Sequence, residues 1–170
     1  MLQPQASVEI RMAHEADIPL ILTFIRKLAE YERLSHELAA SEDDLHKWLF
    51  GRQPAAEVAL AYNAGQPVGF AVFFTTFSTF RGAPGLYLED LFVDSEHRGQ
   101  GAGKALLKYV AQLAVAREFA YLTWSVLDWN QPAIDFYRSL GAIPKDEWTV
   151  YRLSGEALKR AGGGDGIGLE

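Results

Sequence analysis

Two adjacent carboxylates, Glu89 and Asp90, sit in a mostly apolar run of strand length, Leu86 to Val93, bounded by Gly85 and by Asp94-Ser95. A carboxylate among apolar neighbours costs free energy unless it is paired or put to use, so this pair points to a functional site. Beyond it, Arg98-Gly99-Gln100-Gly101-Ala102-Gly103-Lys104 has glycines at alternate positions, which lets backbone amides approach a ligand without side chains in the way. From Lys104 the pattern turns helical, with Leu106, Leu107, Val110, Ala111, Leu113 and Ala114 recurring at spacings of three and four. Unpaired amides at the start of that helix, with its dipole behind them, favour a phosphate or pyrophosphate by ~0.3–1 kcal/mol per interaction.

Spacing narrows the kind of anion binder. A Walker loop needs glycine where this chain has Arg98, and Ser or Thr where it has Ala105. A dinucleotide fingerprint counted from Gly99 or from Gly101 puts Lys104 or Leu106 at its last glycine position. Both fail, and what fits is Arg-x-x-Gly-x-Gly between a strand and a helix.

The elements that must hold these residues follow from periodicity and breakers. Val8 to Met12 alternates as a strand, and Asp17 followed by Pro19 reads as a cap and first-turn proline for a helix with Ile21, Phe24, Ile25 and Leu28 on its apolar face. Ser41 with Asp44 resembles a capping box for a second short helix. Glu57–Tyr62 and Pro67–Phe77 read as an antiparallel hairpin around Asn63-Ala64-Gly65-Gln66, the second strand hydrophobic on both faces. A loop at 78–85 precedes the carboxylate strand. After the cradle helix come a strand at Ala120–Leu127, a helix capped by Asn130 and stopped at Gly141, a last strand at Glu147–Leu153 and a short helix at Ser154–Ala161. The order implies an α/β layer with a central mixed sheet, residues 1–161 forming a single domain and 162–170 a flexible glycine-rich tail.

Composition excludes several classes. The chain has 170 residues, 49% hydrophobic and 22% charged, with no cysteine. Disulfides, thiolate metal sites and acyl-cysteine chemistry are therefore closed. The four histidines show no short metal-ligand spacing, so no metal is expected. A net charge of −6 argues against nucleic acid. Neither an apolar run of about 18 residues nor a basic-then-apolar start is present, so a membrane partner is not expected and a cytoplasmic location is.

The strand, glycine loop and helix resemble the acetyl-CoA signature of the GCN5-related N-acetyltransferase (GNAT) superfamily. Leu28-Ala29-Glu30-Tyr31-Glu32, Tyr87-Leu88-Glu89-Asp90 and Val126-Leu127-Asp128-Trp129-Asn130 resemble the branch containing spermidine/spermine and thialysine acetyltransferases. The resemblance, from about Val8 to Leu158, implies the GNAT fold, a mixed and mostly antiparallel sheet with splayed strands and helices on both faces. It implies acetyl-CoA as acetyl donor, with Leu91, Phe92 and Val93 on the pantetheine arm, Arg98, Gly99, Gln100, Gly101, Ala102, Gly103 and Lys104 on the pyrophosphate, and Asn130 reaching the pantetheine from the next helix.

The run Trp129 to Tyr137 is similar to the family's second motif, which implies Tyr137 as general acid to the CoA sulfur. Amine acetylation also needs a proton acceptor, for which Glu89 is the choice, directly or through water. Strand alternation would put Glu89 and Asp90 on opposite faces. Tyr31, Glu32, Asp90 and Trp148 match positions lining the branch's amine pocket, Trp148 from a partner subunit. The polyamine enzymes carry an acid and a tryptophan where this chain has Ser78 and Phe80. That departure favours a short diamine or a lysine-like amino acid over spermine. The expectation is N-acetylation of such an amine by direct attack in a ternary complex, in a homodimer. The alternatives are a non-catalytic CoA-binding module and a protein N-acetyltransferase.

Overall fold

Five strands pair in the order of the chain in the computed structural model, which describes residues 8–163. They are β1 (Glu9–Met12), β2 (Glu57–Asn63), β3 (Gln66–Ser78), β4 (Ala83–Val93) and β5 (Leu122–Trp124). The first four run antiparallel, and β5 joins β4 in parallel. The β2–β3 hairpin closes on Ala64 and Gly65, both with positive φ (49° and 77°), a turn whose twist matches that of the strands.

Alternation along these strands supplies two cores. Val58, Leu60, Phe70 and Phe92 meet Ile18, Ile21, Leu22, Phe24 and Leu28 of helix α1 (Ile18–Tyr31). Phe24 stacks on Phe70 with ring centroids 5.6 Å apart. The opposite parity, Ala59, Ala61, Ala71 and Phe73, faces helix α3 (Ala102–Ala116), whose buried Leu106, Leu107, Val110 and Ala114 cover β2, β3 and β4. Full burial of each large side chain stabilises by about 1.5–3 kcal/mol. Between α1 and β2 lies the short helix α2 (Glu42–Leu45), where the capping box forms: Asp44 N–H donates to Ser41 Oγ at 3.2 Å, and Ser41 N–H to Asp44 Oδ2 at 3.0 Å.

The chain divides into two compact units, Met1–Ser125 and Val126–Glu170. The second contains α4 (Gln131–Ser139) and α5 (Gly155–Ala161). Asn130 Oδ1 accepts from the Ala133 amide at 3.4 Å, and Gly141 follows α4 in the left-handed region at φ 84°. The strand expected at Glu147–Leu153 does not form. Its alternating pattern has no neighbour to complete a backbone ladder among the described residues, and Trp148, Val150, Tyr151 and Leu153 are exposed. The strand expected at Ala120–Leu127 shrinks to three residues, because β4 offers a parallel ladder only at Leu86–Leu88. Most of the expected tail, 164–170, lies outside the described residues.

Asp17 differs from its expected role as the cap of α1. It makes no side-chain bond to that helix. Its carboxylate instead takes the His14 amide (2.7 Å) and both ends of the Arg11 guanidinium (2.8 and 2.9 Å), while Arg11 also donates to Tyr62 Oη at 2.6 Å. The Arg11 bonds hold Asp17 down at about 2. A carboxylate depressed in the folded state stabilises above its unfolded value and loses that contribution as pH falls through its folded one. Asp17→Asn is therefore expected to cost about 2 kcal/mol at pH 7 and to flatten the loss of stability between pH 4 and 2. Urea unfolding across that range checks it, and parallel wild-type and variant curves would contradict it.

Candidate active site

Register along β3 and β4 locates the carboxylates. Val72 pairs with Asp90 and Phe73 with Leu88, so Glu89 is an extra residue, a β-bulge. Because Phe73 faces α3 and Val72 packs on the α1 core, the bulge switches parity along β4. Leu86 and Leu88 enter the α3 core, whereas Asp90 and Phe92 lie on the α1 face. Simple alternation, which would separate Glu89 from Asp90, does not operate here: Glu89 is exposed on the bulge and close enough that its charge acts on Asp90.

The same point ends the sheet on one side. Parallel pairing with β5 covers Leu86 to Leu88 alone, so Glu89–Val93 continue past the end of β5. Within that stretch the Phe92 side chain is buried in the core, and the Val93 carbonyl accepts from Arg98 Nε at 3.0 Å.

Helix α1 delivers a third acid. The chain leaves the helix at Glu32 and turns at Arg33, which takes φ 61°. Glu32 is half-buried, and burial raises its pKa. Asp90 is pushed up to about 7, first by burial, then by the charges of Glu89 and Glu32. Two carboxylates thus act on a third where β4 runs past the end of β5, which favours a cation there. Among the described residues no group of His, Cys, Asp and Glu could hold a metal ion.

The glycine loop is shaped for an anion. Gly99 and Gly101 take φ 75° and 90°, where an L side chain is strained, and nothing lies within 4 Å of where a Cβ would stand on either. Gly101 precedes α3, whose first amides from Ala102, Gly103 and Lys104 have no partner inside the helix. The residues present therefore fit a pyrophosphate. Arg98 also makes contacts within the chain. Its guanidinium lies over the Tyr31 ring, 4.3 Å from the centroid, and 5.9 Å from that of Phe92. Gln100 accepts from Asn63 Nδ2 at 2.7 Å and donates to the Glu96 carbonyl at 3.3 Å, fastening the loop to the β2–β3 turn. Sequence reasoning treated Asn63 as a turn residue and had no signal for this contact.

Not every expected site residue gathers at the carboxylates. Ser78 and the fully exposed Phe80 stand at the β3–β4 turn; Ser78 pairs with Ala83, seven strand positions from Asp90, about 20 Å of strand. In the second unit, Asn130 is buried and caps α4, Tyr137 lies two turns on with its ring 5.4 Å from that of Phe136, and Trp148 is exposed.

The profile of the acetyltransferase (GNAT) family matches residues 22–142, from α1 through α4 and across the division between the units. The chain belongs to this family. The thialysine N-epsilon-acetyltransferase of Bos taurus is 40% identical over 171 residues, covering 93% of this chain and 99% of that protein. The L-ornithine N5-acetyltransferase of Arabidopsis thaliana is 30% identical, covering 88% and 86% respectively. Among solved structures, an integron cassette protein from the mobile metagenome of V. cholerae superimposes with a TM-score of 0.76 at 31% identity, over 91% of this chain and 97% of that one. The GNAT chain is accordingly an N-acetyltransferase acting on amines, with the mixed sheet and two helical layers of that fold. Among the described residues, no helix is long and apolar enough to cross a membrane.

The state of Asp90 has a consequence for this GNAT enzyme's stability. Its folded value, about 7, lies above its ordinary 3.8, so the folded state is favoured below pH 4 and loses that advantage as pH rises through 7. Asp90→Asn is expected to gain stability on wild type between pH 4 and 8, by at most about 4 kcal/mol. Denaturant midpoints at the two pH values check it, and an identical pH dependence in both proteins would refute the assignment.

Proposed function

We propose that this N-acetyltransferase takes its acetyl group from acetyl-CoA and transfers it to the primary amine of a small cationic substrate, a short diamine or a lysine-like amino acid, in a ternary complex. The observation that carries this reading is the half-buried Asp90 acted on by Glu89 and Glu32 where β4 runs past the end of β5. An ammonium entering there relieves like-charge repulsion and the burial of an unpaired acid together. The relatives support the acceptor class: thialysine and ornithine are amino acids bearing a primary amine at the end of a short side chain.

Bound acetyl-CoA supplies an activated thioester carbonyl. The loop and first helical amides from Gly99 to Lys104 bind its pyrophosphate, Leu91 to Val93 offer backbone groups to the pantetheine, and Asn130 reaches the same arm. Asp90 and Glu32 hold the substrate as its ammonium, with Tyr31 as a wall. Glu89, exposed on the bulge, accepts a proton from the ammonium, directly or through water, and frees the nitrogen lone pair for attack. Tyr137 gives its phenolic proton to the departing sulfur. Of the two protons the nitrogen sheds, one is balanced on the thiol and the other reaches solvent.

A homodimer belongs to this reading. The exposed apolar stretch Trp148, Val150, Tyr151 and Leu153 lacks a ladder partner among the described residues, and a second chain supplies one. Light scattering is expected to give the mass of two chains; the mass of one removes the dimer.

Thiol release from acetyl-CoA, measured over a panel of diamines, amino acids and peptides, tests the activity. Short cationic amines are expected to turn over and peptides not, and turnover of peptides alone would overturn the substrate class. Because Asp90 ionises near pH 7, KM for the amine should fall between pH 6 and 8. Asp90→Asn should raise KM about tenfold or more and remove that slope. Glu89→Gln should instead lower kcat by about 10²–10⁴, and a full kcat in that variant would take Glu89 out of the mechanism.

A further inference from the structure

The contacts of Arg98 join two parts of the protein that the proposed function treats separately. Arg98 opens the anion loop, yet its guanidinium rests on Tyr31, in the last turn of α1 and next to Glu32. A second bridge runs beside it, an ion pair between Lys27 of α1 and Asp94, which follows β4 just ahead of the loop. Lys27 and Tyr31 are four residues apart on α1 and so share one face, and Asp94 and Arg98 are likewise four apart along the loop. The Lys27–Asp94 pair is partly exposed and contributes little alone. A guanidinium over an aromatic face, with Nε bound to the Val93 carbonyl, is geometrically more specific.

We propose that Arg98 and Tyr31, seconded by Lys27 and Asp94, form a latch that couples loading of the anion loop to the shape of the amine site. The inference rests on the proposed function and goes beyond it, because it makes Arg98 a positioning residue rather than simply a phosphate ligand. Two states are involved. With the latch closed, the loop is docked on α1 with Gly99 and Gly101 in their left-handed conformations, and Tyr31 and Glu32 are held toward Asp90. With the latch open, the glycine-rich loop samples many conformations and the end of α1 frays. A pyrophosphate binds better to the closed loop, and an ammonium binds better to the closed carboxylate set. Each ligand therefore favours the state that the other prefers, and the coupling is reciprocal.

Hydrogen exchange with CoA alone reads the latch without turnover. CoA is expected to slow exchange at Gly99–Lys104 and also at Tyr31–Leu34. In Tyr31→Leu the loop should still be protected and the end of α1 should not, whereas Tyr31→Phe, which keeps a ring beneath the guanidinium, should behave as wild type. Protection of the loop alone in wild type would overturn the latch while leaving the proposed function intact. No protection anywhere would defeat CoA binding and the latch with it.

Calorimetry supplies the coupling factor as the ratio of thialysine Kd without and with saturating CoA, a ratio in which direct losses of affinity cancel. At least about fivefold is expected in wild type, falling toward one in Tyr31→Leu and retained in Tyr31→Phe. A ratio below one in wild type would mean that the anion draws Arg98 away from Tyr31, the reverse of the proposal.

Discussion

Parallel pairing between β4 and β5 stops at Leu88, and the bulge at Glu89 begins there. An open stretch of strand edge is ordinarily a liability, because unpaired backbone groups invite another chain. Here Asp90–Val93 pair with β3 on one side and run past the end of β5 on the other, the edge that the proposed function gives to the amide-bearing arm of CoA. The bulge does a second thing that an unbroken strand could not. It keeps Leu86 and Leu88 in the α3 core while turning Asp90 and Phe92 onto the α1 face. A regular alternation would send either two leucines or an aspartate to the wrong core.

The electrostatics of the site follow from that geometry. Asp90 is half-buried on the α1 face of β4, and burial followed by the charges of Glu89 and Glu32 raises its pKa. The arrangement costs stability in the isolated protein and is useful to an enzyme whose substrate brings the missing charge. It also divides the labour between adjacent acids. Under the proposed function the half-buried one would hold a cation, and the exposed one on the bulge would exchange protons with solvent. The anion loop lies beyond the same strand, and its fastening to α1 and to the β2–β3 turn makes it part of the scaffold rather than a loose connection.

Much of this was legible in the residues. The glycines at 99 and 101 announced a loop free of side chains, Ser41 and Asp44 a capping box, Asn130 a helix start, and the apolar spacing of α1 and α3 their buried faces. The Glu89-Asp90 pair stood out because two acids inside a strand demand a reason. What stayed hidden depends on tertiary partners. A bulge is decided by the register of the neighbouring strand, so period-two reasoning separated Glu89 from Asp90 and missed the switch. The contact of Arg98 with Tyr31 was hidden because the two are distant in sequence. Asp17 read as a cap because its partner Arg11 lies on another element. The alternation at 147–153 is strand-like, but a strand exists only where another backbone completes its hydrogen bonds.

The central claim is that Asp90 is a half-buried acid whose raised pKa an ammonium lowers. Carbon-detected NMR of its side-chain carboxyl, titrated in the free protein and again with thialysine and CoA bound, tests this most directly. The account predicts titration near pH 7 when free and a value lowered by more than a pH unit when the amine is present. An ordinary carboxylate titration near 4 in the free protein, or a value the amine leaves unchanged, would contradict it.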